Sequence, residues 1–85
     1  MPEENDPLLL DFGEHLRELR KKQGISQENF AFQTGLDRTY ISGLECGKRN
    51  PTLKIIYKLA KSLDIEVSEL LTGVYSRGDT DECPK

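Results

Sequence analysis

The sequence predicts an all-α domain of five helices, and three observations carry that prediction. Apolar residues recur at three- and four-residue spacing between Leu9 and Leu71. Ser, Asp and Thr residues that favour helix N-caps stand before several of these segments, and Gly residues follow them. No segment alternates apolar and polar residues for long enough to form a strand. The 85 residues suffice for one domain, which we place at residues 8–75, between a flexible acidic tail at 1–7 and a flexible tail at 76–85.

The first predicted helix carries a single apolar stripe over about four turns. Its spacing of three and four residues places on one face Leu9, Phe12, Leu16 and Leu19. We expect Gly24 to end this helix, because glycine adopts the left-handed conformation that helix ends favour. The basic residues Lys21 and Lys22 just before it suit the negative end of the helix dipole.

The second and third helices are predicted to be short and to share a tight turn. Ser26 can cap the second helix by accepting a hydrogen bond from the amide of Glu28 or Asn29, and Gly35 ends it. Asp37 caps the third, which runs from about Arg38 to Cys46 and is closed by Gly47. The inward-facing residues of this third helix are expected to be Ile41 and Leu44.

The remaining two helices are expected to complete the core. Thr52 caps the fourth helix, whose inward face comprises Leu53, Ile56, Leu59, Ala60 and Leu63. A short fifth helix, roughly Val67 to Thr72, carries Leu70 and Leu71.

The charge of the chain is unevenly distributed. The net charge is −3, yet the segment from Arg17 to Ser62 holds ten Lys and Arg against four Asp and Glu and sums to +6, leaving −9 on the flanks. This asymmetry indicates a basic surface within an acidic envelope, which suits a nucleic-acid partner. An ordinary solvated helical surface is the other interpretation of the same charges.

The sequence argues against metal, cofactor and catalytic chemistry. Its two cysteines, Cys46 and Cys83, lack a second cysteine pair, and its one histidine, His15, is far from both, so we expect no zinc site. We expect no cofactor, no small-molecule ligand and no enzymatic activity, because no nucleophile–base pair or phosphate-binding glycine loop is present. Without a signal peptide or an apolar run near 18 residues, a cytoplasmic protein with free thiols and no membrane partner is expected. A redox role for Cys46 and an inert thiol both remain open.

The stretch from Gln27 to Asn50 has the pattern of a helix-turn-helix, in which the second helix enters the major groove of double-stranded DNA. With Ile41 and Leu44 buried, the outward face of that helix offers three side chains able to contact base edges: Arg38, Thr39 and Ser42. Side chains suited to the DNA backbone flank it, at the start of the preceding helix and in the following loop: Gln27, Lys48, Arg49 and Asn50. Taken singly, each of these could equally be an ordinary exposed polar residue.

Three segments resemble the XRE family, the Cro- and lambda-repressor-like helix-turn-helix regulators. They are FGEHLRELRKKQGISQENFA (12–31), GLDRTYISGLECGKRNPTL (35–53) and KLAKSLDIEVSELL (58–71). The run LDRTYISGLE is similar to the controller proteins of restriction–modification systems, which act as activators and repressors. The resemblance implies a lambda-repressor-like fold in a bacterial or phage-type regulator found with the nucleoid.

The resemblance also assigns roles to individual residues. It implies phosphate contact by Gln27, base contacts by the start of the third helix, and a backbone or groove-edge contact by Tyr40. Arg49 and Asn50 would contact the backbone or reach adjacent bases.

Four residues depart from the family pattern, one of them Thr34, which replaces the usual aliphatic residue before the turn. Gly43 stands where many relatives carry a polar base reader, and Cys46 stands where Arg, Asn or Lys is usual. Phe32 puts an apolar ring at a normally polar position, where it either packs towards Tyr40 or stays exposed. We therefore expect specificity to depend on the start of the third helix or on DNA shape.

A homodimer is expected because a single recognition helix reads too few base pairs for useful specificity. The candidate interface is the apolar C-terminal end of the domain, comprising Ile65, Val67, Leu70, Leu71, Val74 and Tyr75. The alternative function is a protein-interaction module, such as an antitoxin or adaptor with the same fold. A gel shift with duplex DNA at low salt separates the two hypotheses.

Overall fold

The computed structural model describes residues 6–72, which form five α-helices and no strand. In chain order these are α1 (Pro7–Lys22), α2 (Gln27–Thr34), α3 (Arg38–Glu45), α4 (Leu53–Leu63) and α5 (Val67–Leu71). The all-α, five-helix prediction is confirmed. No helix within residues 6–72 combines the length and the apolar character needed to cross a membrane.

Helix α1 begins earlier than the sequence pattern suggested. Asp6 caps it by accepting a hydrogen bond of 2.9 Å from the amide of Leu8, and Pro7 occupies the first turn. Proline suits this position because its missing N–H would have no partner within the helix. The apolar pattern did not reveal this start, because Asp6 and Pro7 add nothing to the stripe that Leu9 opens. Residue 7 therefore belongs to the helix and not to a tail.

The three predicted N-caps are confirmed. Ser26 accepts from the amide of Asn29 at 3.0 Å, Asp37 from Thr39 at 3.0 Å, and Thr52 from Ile55 at 3.2 Å. Helices α3 and α5 each end one residue before their expected ends, at Glu45 and Leu71.

A repeated backbone motif ends the first four helices. Each of these helices has a residue with a positive φ either at its C-cap or directly after it. These residues are Gly24, Gly35, Gly47 and Asp64. After α3, the amide of Gly47 donates to the carbonyl of Leu44 at 3.2 Å, and that of Lys48 donates to the carbonyl of Gly43 at 2.8 Å. This pair of bonds is the Schellman motif, and it fixes the direction in which the chain leaves the helix.

One apolar core joins all five helices. Its fully buried side chains include Leu16 from α1, Phe30 from α2, Ile41 and Leu44 from α3, Leu59 and Leu63 from α4, and Leu70 from α5. The prediction that Leu53 lies on the inward face of α4 was wrong, because its side chain is 76% exposed. It occupies the first turn, where the helix extends past the core.

Helices α1 and α3 approach each other closely at Gly13. An added Cβ there would overlap the backbone carbonyl oxygens of Leu44 and Glu45 at the end of α3. Backbone atoms cannot move aside as a flexible side chain can, so this contact requires glycine for steric reasons. The position of α3 against α1 therefore depends on the absence of one methyl group.

We predict that Gly13→Ala destabilises the fold by about 1–3 kcal/mol, although alanine is the better helix former, because the added methyl group forces α1 and α3 apart. Urea unfolding followed by circular dichroism measures the loss. Glu18→Ala, at an exposed position of the same helix, is the control and should change stability little. Equal or greater stability of the Gly13 variant would contradict the steric account.

Candidate nucleic-acid interface

Helices α2 and α3 are joined by a tight turn, Gly35–Asp37, with Gly35 in the left-handed conformation at φ 74°. The amide of Leu36 donates to the carbonyl of Ala31 at 3.1 Å. The buried Thr34 hydroxyl donates to the carbonyl of Phe30 at 2.9 Å and accepts from the amide of Leu36 at 3.3 Å. These hydrogen bonds pair the Leu36 amide and the Thr34 hydroxyl with the end of α2, which ties the turn to that helix.

Helix α3 turns its apolar residues inward and its polar ones outward, as the sequence predicted. Ile41 and Leu44 are completely buried. Arg38 and Thr39 are exposed at the first turn, and Ser42 is half-buried one turn later. The three candidate base readers thus lie together on or beside one face, while their contact with bases stays a prediction.

Arg49 lies against α3 although it belongs to the following loop. A Cβ added at Gly43 would stand 2.9 Å from the Arg49 Cγ and 3.3 Å from its Nε. The Arg49 guanidinium carbon is 5.7 Å from the centre of the Tyr40 ring, which is within cation–π range. The other two loop candidates, Lys48 and Asn50, are exposed.

A buried ion pair ties the start of α2 to the ends of α1 and α3. Arg20 donates to Glu45 through Nε at 2.7 Å and Nη2 at 3.0 Å, and its Nη1 donates to the carbonyl of Ile25 at 2.7 Å. Both side chains are buried, with 8% and 2% of their surface exposed. Paired in this two-point geometry, the charges stabilise each other where water is excluded.

The amide of Gln27 joins this ion pair. Its Nε2 donates to the Glu45 Oε1 at 3.0 Å. The side chain expected to contact a phosphate therefore has one of its two N–H donors engaged within the protein, and it is half-buried. The second side-chain N–H and the backbone amide of Gln27 are the groups that this residue can offer to DNA, since the Asn29 amide already donates to Ser26.

The Arg20–Glu45 pair was not predicted from the sequence. A signal was present, because Arg20 follows Leu16 by four residues and Glu45 follows Ile41 by four. That spacing places each charge on the buried face of its helix. Two opposite charges on inward faces indicate a buried pair.

We predict that Glu45→Leu alone destabilises the fold by about 3–5 kcal/mol, because it leaves the buried Arg20 guanidinium without its counter-charge. The double variant Arg20→Met/Glu45→Leu should lose less, since it removes both charges. Urea unfolding of the three proteins gives the comparison, with Glu18→Leu as a control for the same replacement on an exposed surface. A double variant less stable than the single one would contradict this prediction.

Two expectations about neighbouring residues need correction. Phe32 does not pack towards Tyr40, because its ring is 86% exposed and Arg49 occupies the contact with Tyr40. Cys46 is disulfide-bonded, which contradicts the expectation of free thiols, and Cys83 lies outside the described residues. The expectation came from the absence of a signal peptide, which does not determine whether Cys46 forms a disulfide.

The candidate dimer residues differ in how far their side chains are exposed in the structure. Leu70 is completely buried in the core, so its inclusion in an interface was wrong: its side chain is already fully covered within one chain. Leu71 is 41% exposed, whereas Ile65 and Val67 are half-buried beside the core. The two other candidates, Val74 and Tyr75, lie outside the described residues.

His15 connects α1 to α5. Its Nε2 lies 3.0 Å from the carbonyl oxygen of Glu69, so this nitrogen donates the hydrogen bond. The five-residue helix α5 has no side-chain cap of its own. This hydrogen bond adds to the packing of Leu70 and Val67 against the core in holding α5 on the domain.

A family model of helix-turn-helix proteins matches residues 16–70. The chain belongs to this helix-turn-helix family, whose members are DNA-binding transcription regulators. Within it, the chain is 48% identical to control protein C.MunI of a Mycoplasma species over 64 residues, which cover 74% of this chain and 86% of that protein.

Two solved structures of restriction-modification controller proteins are similar to this chain. C.AhdI from Aeromonas hydrophila is 56% identical with a TM-score of 0.72, covering 73% of this chain and 94% of that one. The C.Esp1396I tetramer, in complex with its natural 35-base-pair operator, is 33% identical with a TM-score of 0.72, covering 82% and 96%. The resemblance to XRE-type regulators and their controller proteins is confirmed.

Proposed function

We propose that this protein is a sequence-specific transcription regulator that binds an inverted-repeat operator as a homodimer and acts as a restriction–modification controller. The observation that carries the proposal is the orientation of α3. Ile41 and Leu44 anchor it from behind, which leaves Arg38 and Thr39 free to enter a major groove.

The start of α3 supplies the proposed base contacts. Arg38 can donate two hydrogen bonds to O6 and N7 of guanine, and Thr39 and Ser42 can bond to a base edge or meet a thymine methyl group. A positive charge at a helix N-terminus opposes the helix dipole, so Arg38 gains nothing there for the helix itself. An external anion or a guanine edge would provide the favourable interaction that Arg38 lacks within its helix.

The proposed backbone contacts flank α3 on both sides. Gln27 offers its second side-chain N–H and its own backbone amide to a phosphate. Tyr40 contacts the backbone or a groove edge. Lys48 and Asn50 lie in the loop whose direction is set at Gly47, and they contact a second phosphate. Contacts of this kind set the register of the protein on the duplex and carry no sequence information themselves.

Pairing of two chains is proposed through the α4–α5 end of the domain. Leu71 is exposed there beside the half-buried Ile65 and Val67. Two recognition helices about 34 Å apart would read two half-sites one helical turn apart. The operator-bound tetramer of C.Esp1396I supports such an assembly, and we propose a cytoplasmic location with the DNA.

We predict that Arg38→Ala weakens binding to the preferred operator by about 1–3 kcal/mol and relaxes the preference at one base pair of each half-site. The operator comes from selection of bound sequences from a random duplex library, and fluorescence anisotropy measures affinity. Unchanged affinity for that operator would remove Arg38 as a base reader. If the wild-type protein binds no duplex at low salt, the protein-interaction alternative takes the place of the whole proposal.

Lys48→Ala is the matched control, since it also removes one exposed positive charge near α3. It should weaken binding to all sequences by a similar factor and reduce the slope of log affinity against log salt by about one. Loss of preference at a single base pair in this variant would show that the phosphate assignment is wrong.

We predict that Leu71→Asp shifts the protein from dimer to monomer in sedimentation velocity, because a charge at an apolar contact must lose its hydration. Leu53→Asp is the control, since that leucine is 76% exposed on the first turn of α4, away from the proposed interface. A dimer that withstands the Leu71 change as well as the Leu53 change would place the interface elsewhere.

A further inference from the structure

The outer face of α1, the side turned away from Leu9 and Leu16, holds a buried carboxylate. Asp11 is 2% exposed, and neither of its carboxylate oxygens has a hydrogen-bond partner among residues 6–72. At 3.6 residues per turn it lies about 140° around the helix from Leu16, whose side chain is in the core. Glu18, about two turns further along the same face, is exposed. A chain segment outside the core therefore covers α1 at Asp11.

The end of α3 lies beside α1 and carries a disulfide. Cys46, the C-cap of α3, is half-buried and disulfide-bonded. A Cβ added at Gly47, the next residue, would stand 2.7 Å from Cδ2 of Leu10 in α1. The structure holds one copy of the chain, and the sequence has one other cysteine, Cys83, outside the described residues. A disulfide within this chain can only join Cys46 to Cys83.

Such a bond requires the chain after α5 to reach the end of α3. The eleven steps from Thr72 to Cys83 span up to about 36 Å, whereas a helix with its side chains is about 10–12 Å wide. Helix α5 meets α1 at His15, and the end of α3 meets it at Leu10. Around the outside of α1, Asp11 lies between these two contacts. A chain that follows this route covers Asp11.

We infer that residues 73–83 form a strap over the outer face of α1, that a disulfide between Cys46 and Cys83 fastens it, and that reduction of this bond releases it. The reaction is thiol–disulfide exchange. In closing, the two cysteine thiols give two electrons and two protons to a low-molecular-weight disulfide, which leaves as two thiols. In opening, two such thiols reduce the bond and leave as their disulfide.

Asp11 makes the closed strap dependent on the disulfide. Burial removes water from the carboxylate, and no donor among residues 6–72 replaces that water. Burying a polar group without a hydrogen bond is unfavourable, so hydration of Asp11 favours the open strap once the bond is reduced. Thiols prevail in the reducing cytoplasm proposed above. The strap is therefore open there until an oxidant closes it.

The strap connects this switch to the candidate DNA-facing loop, a consequence that rests on the proposed function. Lys48 lies two residues after Cys46 and is exposed. Residues 79–85 around Cys83 carry three acidic residues against one lysine, a sum of −2. Charges held within about a Debye length of the loop, about 8 Å at physiological salt, repel the phosphates that approach it. The closed strap therefore weakens DNA binding, and reduction strengthens it.

The first experiment maps the disulfide in protein treated with oxidised glutathione or with dithiothreitol. We expect the oxidised protein to run as a monomer in non-reducing electrophoresis. Trypsin, which cleaves after Lys and Arg, should release from it one linked pair of peptides, residues 39–48 and 78–85. A disulfide-linked dimer, or two free thiols after oxidation, would overturn the inference.

The second experiment labels carboxyl groups with a water-soluble carbodiimide and glycine ethyl ester, followed by mass spectrometry. We expect Asp11 to be protected in the oxidised protein and labelled several-fold faster in the reduced one. Glu18, exposed on the same face, is the internal control and should label equally in both. Cys83→Ser, which cannot form the bond, should label Asp11 as the reduced wild type does under either condition. Equal protection of Asp11 in every sample would mean that the described helices cover it, and the strap would be refuted.

The third experiment measures affinity for the selected operator by fluorescence anisotropy at low salt. We expect the reduced wild type to bind more tightly than the oxidised form by on the order of 3-fold, with a smaller difference as salt rises. The triple variant Asp79→Asn/Asp81→Asn/Glu82→Gln keeps both cysteines and should lose the difference. Equal affinity of the two wild-type forms would overturn the switch. If neither form binds any duplex, the proposed function fails, and the labelling experiment alone decides on the strap.

Discussion

The ion pair between Arg20 and Glu45 is the constraint on which the rest of this structure depends. It is buried, and it joins the end of α1, the loop before α2 and the end of α3 in one set of hydrogen bonds. The amide of Gln27 joins the same carboxylate, so the start of α2 is fixed as well. The apolar core packs the helices together, and these directional hydrogen bonds add a specific connection between the ends of α1 and α3 and the start of α2. The orientation of the candidate DNA-facing surface therefore depends on a charge interaction inside the protein.

Backbone geometry contributes the second part of this surface. The left-handed glycine after α3 turns the chain so that the loop returns along the helix it has just left. The loop can then lay Arg49 across α3 at Gly43. Two neighbouring elements, the helix and the loop that follows it, thereby form one surface.

Much of the fold was predictable because local signals are strong in short helices. The caps at Ser26, Asp37 and Thr52 and the stop at Gly35 follow from residue chemistry over three or four positions, and the structure has them where they were expected. The start of α1 at Pro7 was missed although its signals are local, whereas other features depend on contacts distant in sequence. Leu70 had the composition of an interface residue, but only the packing of α5 on the core shows that it is buried. The approach of Arg49 to Gly43 depends on the path of a loop, which no periodicity describes.

The division of α5 between two environments has a consequence for the proposed pairing of two chains through this helix. Adjacent residues of this short helix differ in burial, since Leu70 is fully buried and Leu71 is exposed. The hydrogen bond of His15 to the carbonyl of Glu69 involves the backbone, so it does not depend on which side chains the outward positions carry. Sequence change at the outward positions can therefore alter which chains associate while the enclosed positions keep the domain intact. Two regulators of this type in one cell could diverge in partner choice without any loss of fold.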